Sequence, residues 1–412
     1  MPTQPVRFTH VYFAFAAAYL LSYLLRTVNA VISPELTREL GLSSGALGLL
    51  TSAYFVSFAA MQIPAGMLLD RYGPRRVEPL LLVVCGIGTL AFALAEGLTG
   101  LIVARALIGA GVAVCLMAPL KAIAAWYPAD RQASFASWIM FAGGAGALVA
   151  TTPVELALRV THWRGVFVAL SVFAVAIAAW IWWRVPDTAP QGTGGGFAAQ
   201  WDGVKSVFAS RRFWWLAPLG SFGMGSFMAI QGLWSVPWLM EVSGYDRAGA
   251  AGHLLLMSAV MLGGYLILGL FSTRLARRGI HPVQLFAVGY AVSFAALAVI
   301  LWGLRGSWFW WSLYGLGSTV NILAYGVLCE GFPKALAGRA NTALNLLLFA
   351  GSFATQWGIG VVVDLVRAAG GDGASGLRLA FAIVLVANVA AFAWLALGWQ
   401  RHARHEPPAT TA

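Results

Sequence analysis

The sequence predicts an all-α integral membrane protein with twelve transmembrane helices in two six-helix bundles, and three observations support this fold class. The 412 residues are 60% hydrophobic and 10% charged, whereas a soluble globular chain is about 25% charged. The apolar residues form twelve runs, each long enough to cross a ~30 Å hydrocarbon core as a helix. The two halves of the chain also repeat a set of loop residues.

Short loops join the apolar runs except at one position. Residues 185–212 form the longest hydrophilic break, and its stretch DTAPQGTGGG has the composition of a flexible linker. This break divides the chain into an N-terminal bundle, 1–184, and a C-terminal bundle, 213–412. The predicted spans are 9–33, 45–69, 78–97, 99–127, 132–158, 164–184, 213–240, 247–272, 282–304, 308–332, 340–367 and 377–399.

Loop residues of the first half recur in the second half. RQASFASWIMFAGG at 131–144 resembles RANTALNLLLFAGS at 339–352, at an offset of 208. Parallel repeats of six helices build one large class of membrane folds. An earlier set, at an offset of 203, pairs Pro34 with Pro237, Gly41 with Gly244 and Arg71 with Arg274.

Lys and Arg are unevenly distributed between the two sides of the predicted bundle. With both termini and the linker on one side, that side carries 16 of these residues in its loops and the other carries 7. Because the richer side is cytoplasmic, we expect a multi-pass protein of a bacterial inner membrane with cytoplasmic termini. The net charge of +11 arises in these short loops, so we expect no nucleic-acid partner.

The sequence lacks the motifs of enzyme chemistry, such as HExxH, a P-loop or a nucleophile elbow. The stretch GTGGG at 192–196 lies in the polar linker without a preceding strand. Cys85, Cys115 and Cys329 lie in apolar runs, so we expect free buried thiols, no metal site and no cofactor.

Arg26 interrupts the first apolar run, where a permanently charged guanidinium costs ~2.5–3.5 kcal/mol on insertion scales. Residues three or four apart share a helix face, and those that share the face of Arg26 are polar. Such a stripe faces a wet cavity or neighbouring protein. We expect a small anionic substrate to pair with Arg26; the alternative is a buried arginine held by backbone carbonyls. The other residues of this predicted binding stripe are Tyr19, Ser22, Tyr23 and Asn29.

Further polar residues extend the predicted binding site. Arg105 and Lys121 lie sixteen residues apart on span 4, roughly 24 Å along the axis, so they cannot both contact one small ligand. The alternatives are a structural role for Arg105 and a Lys121 ammonium that simply reaches surface water. Spans 7 and 10 contribute Gln231, Trp234, Asn321 and Tyr325, which helix packing would also explain.

Two residues are candidates for carrying a coupling proton. Glu155 lies near the outer end of span 5, and His253 lies within span 8. Histidine titrates near neutral pH, although a single histidine in a span commonly has a structural role. Among the acidic residues, Glu155 is the preferred candidate.

The loop between spans 2 and 3 reads GMLLDRYGPRR. Its aspartate can meet a helix start or a cation, and its arginines can hold carbonyls at helix ends. Glycine permits a tight turn and close helix approach. We predict a conformational latch here; the alternative is that the arginines only set the topology. The latch residues are Gly66, Asp70, Arg71, Gly73, Arg75 and Arg76.

This loop resembles the signature of the major facilitator superfamily. GLFSTRLARRG at 269–279 is similar to a weakened copy of it, and RALIGAGVA at 105–113, WYPADRQA and HWRGVF resemble other motifs of the family. The resemblance covers nearly the whole chain. It implies two pseudosymmetric bundles around a central cavity and transport by alternating access.

The first span resembles that of organic-anion and organophosphate transporters, in which an arginine precedes small residues and a proline. Arg26 matches their anion-binding arginine, whereas Leu25 departs from the aspartate often found before it. Val112 stands where some anion:cation symporters carry a glutamate. Ala229, the repeat mate of Arg26, supplies no second cation, which favours a carboxylate over a phosphate ester.

The expected function is secondary active transport of a small organic anion, with proton symport or exchange, by a monomer in the lipid bilayer. The alternative is proton-coupled efflux of hydrophobic drugs or siderophores, which the aromatic and methionine content would allow. The lack of a central acid in span 1 counts against efflux. A membrane sensor that transports nothing is a third interpretation, which the lack of a sizeable soluble domain disfavours.

Overall fold

The computed structural model describes residues 8–127, 129–187, 197–303, 305–330 and 332–403. All regular secondary structure in these ranges is helical, which confirms the predicted fold class. The Gly-rich part of the predicted linker, 188–196, and the two chain ends lie outside the described residues. A helix at Phe197–Phe208 precedes the second half.

The helices follow the twelve predicted segments, numbered here as spans 1 to 12. The first six are Phe8–Thr27 with Asn29–Leu40, Ser44–Tyr72, Pro74–Leu94, Leu98–Gly111 with Met117–Trp126, Ala129–Val149 with Thr152–Val160, and Trp163–Arg184. The second six are Arg211–Val242, Arg247–Arg277, Pro282–Trp302, Ser307–Ser318 with Thr319–Ile322 and Leu323–Glu330, Lys334–Ala368, and Gly373–Ala403.

Several spans are not continuous α-helices. In the described part of the chain, eight helices are long and apolar enough to cross a membrane, or ten if the bent pairs of spans 1 and 5 each count once. Each of those pairs bends by 44°. Span 4 leaves the α-helix at 112–116, and span 10 passes through a 3₁₀ turn at Thr319–Ile322. A chain segment can therefore be apolar over its whole length and still change backbone geometry near its middle.

Spans 1 and 7 break at equivalent positions of the repeat. Span 1 bends at Val28, between its two helices. Span 7 contains a π-helical turn at Ile230–Trp234, which includes the position 203 residues after Val28. Because π-turns concentrate at functional sites, the two breaks direct attention to the space between spans 1 and 7.

The two ends of the molecule differ in their connections. The linker end is the end at which the chain passes from Arg184 to Arg211. The opposite end is the one at which span 1 turns into span 2 at Gly41, whose φ of 61° requires the left-handed conformation that glycine adopts freely. These two names are used below.

Spans 2 and 11 join the two halves. A β-carbon built on Gly48 would lie 2.6 Å from the carbonyl oxygen of Gln356, so glycine is needed for this close approach. The ring centroids of Phe58 and Phe349 lie 4.7 Å apart in the same interface. The halves are thus packed along spans 2 and 11, while a space remains between spans 1, 5, 7, 8 and 10.

Candidate functional site

A cavity lies between the two halves, beside the breaks in spans 1 and 7. The space between the walls amounts to about 600 Å³, including the part that is open to solvent. Five spans contribute to its walls, two from the first half and three from the second. Among the described residues, the lining consists of Tyr23, Arg26, Thr27, Gly144, Ala147, Met224, Phe227, Met228, Gln231, Ser258, Met261, Leu262, Tyr265 and Asn321.

Arg26 is the cation of this wall. Its guanidinium carbon lies 4.5 Å from the ring centroid of Tyr23 and 5.4 Å from that of Phe58. Its Nε is buried without a hydrogen-bond partner, and among the described residues no carboxylate forms an ion pair with it. The Tyr54 hydroxyl also neighbours the guanidinium. Aromatic faces stabilise a cation without consuming its donors, and these neutral neighbours leave the positive charge of Arg26 uncompensated.

The local backbone explains the position of Arg26. The first helix of span 1 ends one residue later, and the chain bends at Val28. The Thr27 hydroxyl donates to the carbonyl oxygen of Tyr23 at 2.9 Å, which holds the final turn. Arg26 therefore sits on the last turn of a buried helix end, where its side chain reaches the space that the bend opens.

The second half presents weakly bonded polar groups to the same cavity. The Gln231 amide nitrogen lies 3.5 Å from the Ser258 hydroxyl and 3.4 Å from the Met261 sulfur. The Asn321 amide nitrogen lies 3.5 Å from the Tyr265 hydroxyl. The two contacts of 3.5 Å are at the upper limit of hydrogen-bond length, and a thioether sulfur is a weak acceptor, so a ligand can replace these contacts at low cost.

Three predicted stripe residues support the cavity wall from behind. Tyr19 packs its ring 5.1 Å from that of Tyr23 and points its hydroxyl at a methionine sulfur. Ser22 is buried, and its backbone carbonyl oxygen accepts a hydrogen bond from the Tyr54 hydroxyl at 3.4 Å. Asn29 is buried and donates to a span 2 threonine at 3.0 Å. Of the predicted stripe, the structure brings only Tyr23 and Arg26 to the cavity lining.

Two further predicted site residues also lie away from the lining. The Trp234 indole is buried and donates to the carbonyl oxygen of Gln356 at 2.9 Å. The Tyr325 hydroxyl donates to the Asn345 side chain at 2.6 Å. Both residues join helices of the second half. Gln231 and Asn321, the other two candidates from spans 7 and 10, do line the cavity.

Arg105 and Lys121 do not line the cavity. Arg105 is buried, donates to the carbonyl oxygen of Leu25 at 2.8 Å and lies over the rings of two phenylalanines. Lys121 forms an ion pair with Asp70, with 2.5 Å between Nζ and Oδ1. In this conformation Lys121 is paired with a carboxylate, whereas Arg105 bonds one backbone carbonyl and leaves Nε and its second terminal nitrogen buried without partners. Neither cation reaches the cavity lining.

The two predicted proton carriers also have protein partners outside the cavity. Glu155 forms an ion pair with Arg159, one turn later on the same helix, at 3.0 Å. His253 is buried, stacks on Trp308 with ring centroids 3.6 Å apart, and places Nδ1 2.7 Å from the carbonyl oxygen of Gly249. Glu155 is thus bound to a cation on its own helix, and His253 packs against span 10 while its Nε2 is buried without a partner.

The predicted latch lies at the linker end, and its described contacts are with the first half and with the start of the linker. Arg75 and Arg76 lie 3.5 Å and 3.3 Å from the Asp187 carboxylate, and Arg75 also donates to the carbonyl oxygen of Trp182. The turn itself requires Gly73, whose φ is 76°. Arg71 lies over the adjacent Tyr72 ring, and no neighbour lies within 4 Å of a β-carbon built on Gly66.

Among the described residues, charged contacts tie one half to the other at the opposite end. The Asp364 carboxylate of span 11 accepts the backbone N–H groups of Ser44 and Gly45 at 2.9 Å and 2.7 Å. Arg247 of span 8 forms an ion pair with Glu35 of span 1. Span 2 therefore begins on a carboxylate supplied by the other half, and this end of the cavity is held closed.

Sequence reasoning missed several cavity residues. Ser258, Met261 and Tyr265 line the cavity from span 8, and their spacing of three and four residues is the signal that identified the stripe on span 1. Phe58, which stacks on Arg26, carries no such signal because an aromatic residue in an apolar span is compatible with any face. Thr27 is adjacent to Arg26 in the sequence, so the spacing of three or four residues that defines the stripe does not include it.

Comparisons with known proteins place the chain in a family. The model of the Major Facilitator Superfamily matches residues 15–356. A probable sulfoacetate transporter of Cupriavidus necator is 27% identical over 276 residues, or 63% of this chain and 64% of the relative. The hexuronate transporter of Escherichia coli K12 is 32% identical over 169 residues, or 40% of this chain and 39% of the relative. The chain thus spans less than two thirds of the length of these curated relatives.

Solved structures share the fold. A bacterial homologue of the human lysosomal transporter Spinster, inward-facing and unoccupied, matches with a TM-score of 0.78 at 20% identity and covers 99% of this chain and 100% of that one. A D-xylose–proton symporter matches with a TM-score of 0.72 at 14% identity, over 94% of this chain and 97% of that one. The extent of the family match and the shared fold agree with the motifs of the spans and loops: the chain belongs to the Major Facilitator Superfamily.

Proposed function

We propose that the chain is a secondary active transporter that moves a small organic anion, a carboxylate or a sulfonate, by alternating access. The observation that carries this proposal is Arg26, a cation on the wall of a cavity between the two halves with no acidic partner among the described residues. Two relatives are named for sulfoacetate and hexuronate, which are anions of this class.

The arrangement around Arg26 suits such a ligand. A guanidinium binds a carboxylate through two parallel hydrogen bonds, and the rings of Tyr23 and Phe58 fix its orientation. Across the cavity, the weakly held side chains of Gln231 and Asn321 are available for a hydroxyl or a second acidic oxygen of the ligand. A ligand held by both walls would draw the two halves together.

The proposed cycle opens the cavity at one end at a time. The contacts of Asp364 and Arg247 close the opposite end in this state, so access is from the linker end. The linker end faces the cytoplasm of a bacterial cell, because it carries the excess of Lys and Arg. A proton or a second anion drives the cycle, and the monomer is the transporting unit.

Efflux of hydrophobic drugs is the second candidate function. A quinolone resistance transporter of Acinetobacter baumannii is 24% identical over 180 residues, or 42% of each chain. Met224, Met228 and Met261 line the cavity, and methionine adapts to varied apolar ligands. The free cation of Arg26 is repulsive to lipophilic cations, which makes the anion the favoured cargo.

The test is exchange of radiolabelled sulfoacetate and of a radiolabelled hexuronate by the purified protein in liposomes. We expect small carboxylates and sulfonates to compete and Arg26→Ala to abolish exchange. Arg26→Lys restores little, because an ammonium lacks the paired donors of a guanidinium. Arg184→Ala, which removes an exposed guanidinium, is the matched control and keeps the wild-type rate. Competition by lipophilic cations alone, or full exchange by Arg26→Ala, would contradict the proposal.

A further inference from the structure

Glu78 is a buried carboxyl group that has no role in the site described so far. It lies on span 3, five residues after the turn at Gly73, and is 0% exposed. Neither of its side-chain oxygens has a hydrogen-bond partner of good geometry, and the group that faces them is the Cys115 thiol, a weak donor. It forms no ion pair within the described part of the chain. A fully buried acidic residue with both oxygens unsatisfied needs a physical explanation.

Charge and burial together indicate which form of Glu78 this state contains. An isolated carboxylate in a low-dielectric interior is strongly disfavoured, and such groups become neutral rather than remain charged. A carboxylic acid needs no cation. The observed surroundings therefore hold Glu78 in its protonated form while the opposite end is closed.

The cations near Glu78 are occupied elsewhere. On its own helix, Arg75 and Arg76 face Asp187, and on span 4 Lys121 pairs with Asp70. The titratable group that faces Glu78 from the packed helices is the thiol of Cys115. A proton on Glu78 is thus the means by which its charge is neutralised in this conformation.

The backbone beside Glu78 is irregular. Cys115 lies in the interruption of span 4 at 112–116, between the helices that end at Gly111 and begin at Met117. Within this interruption the bonds run over three residues, as in the 3.2 Å bond from the Cys115 N–H to the carbonyl oxygen of Val112. An interrupted span bends at lower cost than a continuous helix, so this segment is suited to admit water to Glu78 when the half-bundles move.

The same segment connects Glu78 to the cavity. Just before this segment, a β-carbon built on Gly109 would lie 2.3 Å from the carbonyl oxygen of Tyr54. The Tyr54 ring stacks on Phe58 with centroids 6.0 Å apart, and Phe58 lies over Arg26. Loss of the proton from Glu78 would create a negative charge on span 3, on the other side of the span 4 interruption from the cavity. That charge would compete with a bound anion for the field of Arg26.

We propose that Glu78 is the proton-binding group that couples anion movement to the proton gradient. This role rests on the transport function proposed above. One proton from water at one face forms an O–H bond on the carboxyl group, crosses in the protonated form with the bound anion, and dissociates to water at the other face. At each face one O–H bond of hydronium is exchanged for the O–H bond of the carboxyl group, or the reverse, and Glu155 and His253 are not required.

The test compares wild type, Glu78→Gln, Glu78→Asp and Glu155→Gln. Glutamine copies the shape and neutrality of the protonated acid, Asp retains a titratable carboxyl, and Glu155 is a matched control because it is paired with Arg159. Infrared difference spectra over a pH titration of the purified proteins detect a protonated carboxyl group without any substrate. Liposomes then separate exchange of labelled sulfoacetate and hexuronate from accumulation driven by an imposed pH gradient.

We expect a protonated-carboxyl band that is lost in Glu78→Gln and retained in Glu155→Gln. Glu78→Gln should exchange anions at the wild-type rate and fail to accumulate them, while Glu78→Asp and Glu155→Gln should accumulate them. Accumulation by Glu78→Gln, or a spectrum identical to wild type, overturns the assignment. If wild type exchanges neither anion, the transport proposal for these substrates fails, and the infrared band still decides whether Glu78 binds a proton. Should Glu78→Gln not fold, accumulation by Glu78→Asp supports the assignment, and failure to accumulate overturns it.

Discussion

The closed opposite end depends on a carboxylate that crosses between the halves, which makes Asp364→Asn a direct perturbation of the conformational equilibrium. The Asp364 carboxylate accepts two backbone N–H groups at the start of span 2, from Ser44 at 2.9 Å and Gly45 at 2.7 Å. An amide retains one oxygen but loses the negative charge. The substitution therefore weakens a contact that exists only while this end is closed.

The size of the effect follows from these two bonds. A hydrogen bond to a charged group contributes ~1.5–3 kcal/mol net. Asparagine keeps one neutral bond, so we expect Asp364→Asn to disfavour the closed end by roughly 1.5–3 kcal/mol, or about 10- to 100-fold in the equilibrium constant. Arg367, which contacts Ser44 and Glu241, and the ion pair of Arg247 remain.

Pulsed electron paramagnetic resonance measures this shift. Spin labels at the exposed positions Arg38 and Arg305 report the separation of the halves at the opposite end. We expect Asp364→Asn to add a population with longer distances. Asp246→Asn is the matched control, because the Asp246 carboxylate accepts the N–H of Gly249 at 2.8 Å at the start of span 8, a contact within one half. An unchanged distance distribution in Asp364→Asn, or an equal change in Asp246→Asn, would refute the reasoning.

Three further substitutions separate the cavity from its supports. Lys121→Gln should leave anion affinity unchanged, since Lys121 bonds Asp70 rather than the cavity; equilibrium binding measures this, and a loss of affinity would return Lys121 to the binding site. Arg105→Met should lower the thermal transition temperature of the detergent-purified protein, because it removes the bond to Leu25, worth ~1.5–3 kcal/mol; unchanged stability would contradict the structural role. Tyr265→Phe should weaken anion binding by about 2- to 10-fold, the effect of one hydrogen bond of ~0.5–1.5 kcal/mol, and unchanged affinity would remove its hydroxyl from the site.

The fold was predictable because bilayer length and helical periodicity act on every span. Twelve apolar runs, one polar break and a repeat at fixed offset define the order of the helices. The repeated prolines Pro34 and Pro237 are a local signal that spans 1 and 7 depart from a regular helix, but they do not predict the bend at Val28 or the π-turn at Ile230–Trp234. These irregularities depend on packing between the halves, which composition does not encode.

The site was only partly predictable for a related reason. Arg26 was identified because a cation in an apolar span needs compensation, and the structure places it on the cavity wall. Arg105 meets the same criterion and instead bonds a backbone carbonyl. Helix periodicity shows which residues share a face of a helix, but it does not show whether that face packs against another helix or lines the cavity. Glu78 was missed because it follows the latch motif closely, where a charge is expected at the membrane surface.

The measurement that tests the central claim most directly compares a small carboxylate with its own neutral amide as ligands of wild type and Arg26→Ala. Wild type should prefer the carboxylate by at least about 30-fold, since removing one partner of a buried charge pair costs ~2–5 kcal/mol. In Arg26→Ala the preference should disappear, with the amide bound as in wild type. A carboxylate preference that survives the loss of Arg26 would contradict the account, because the anion would then be held by another group.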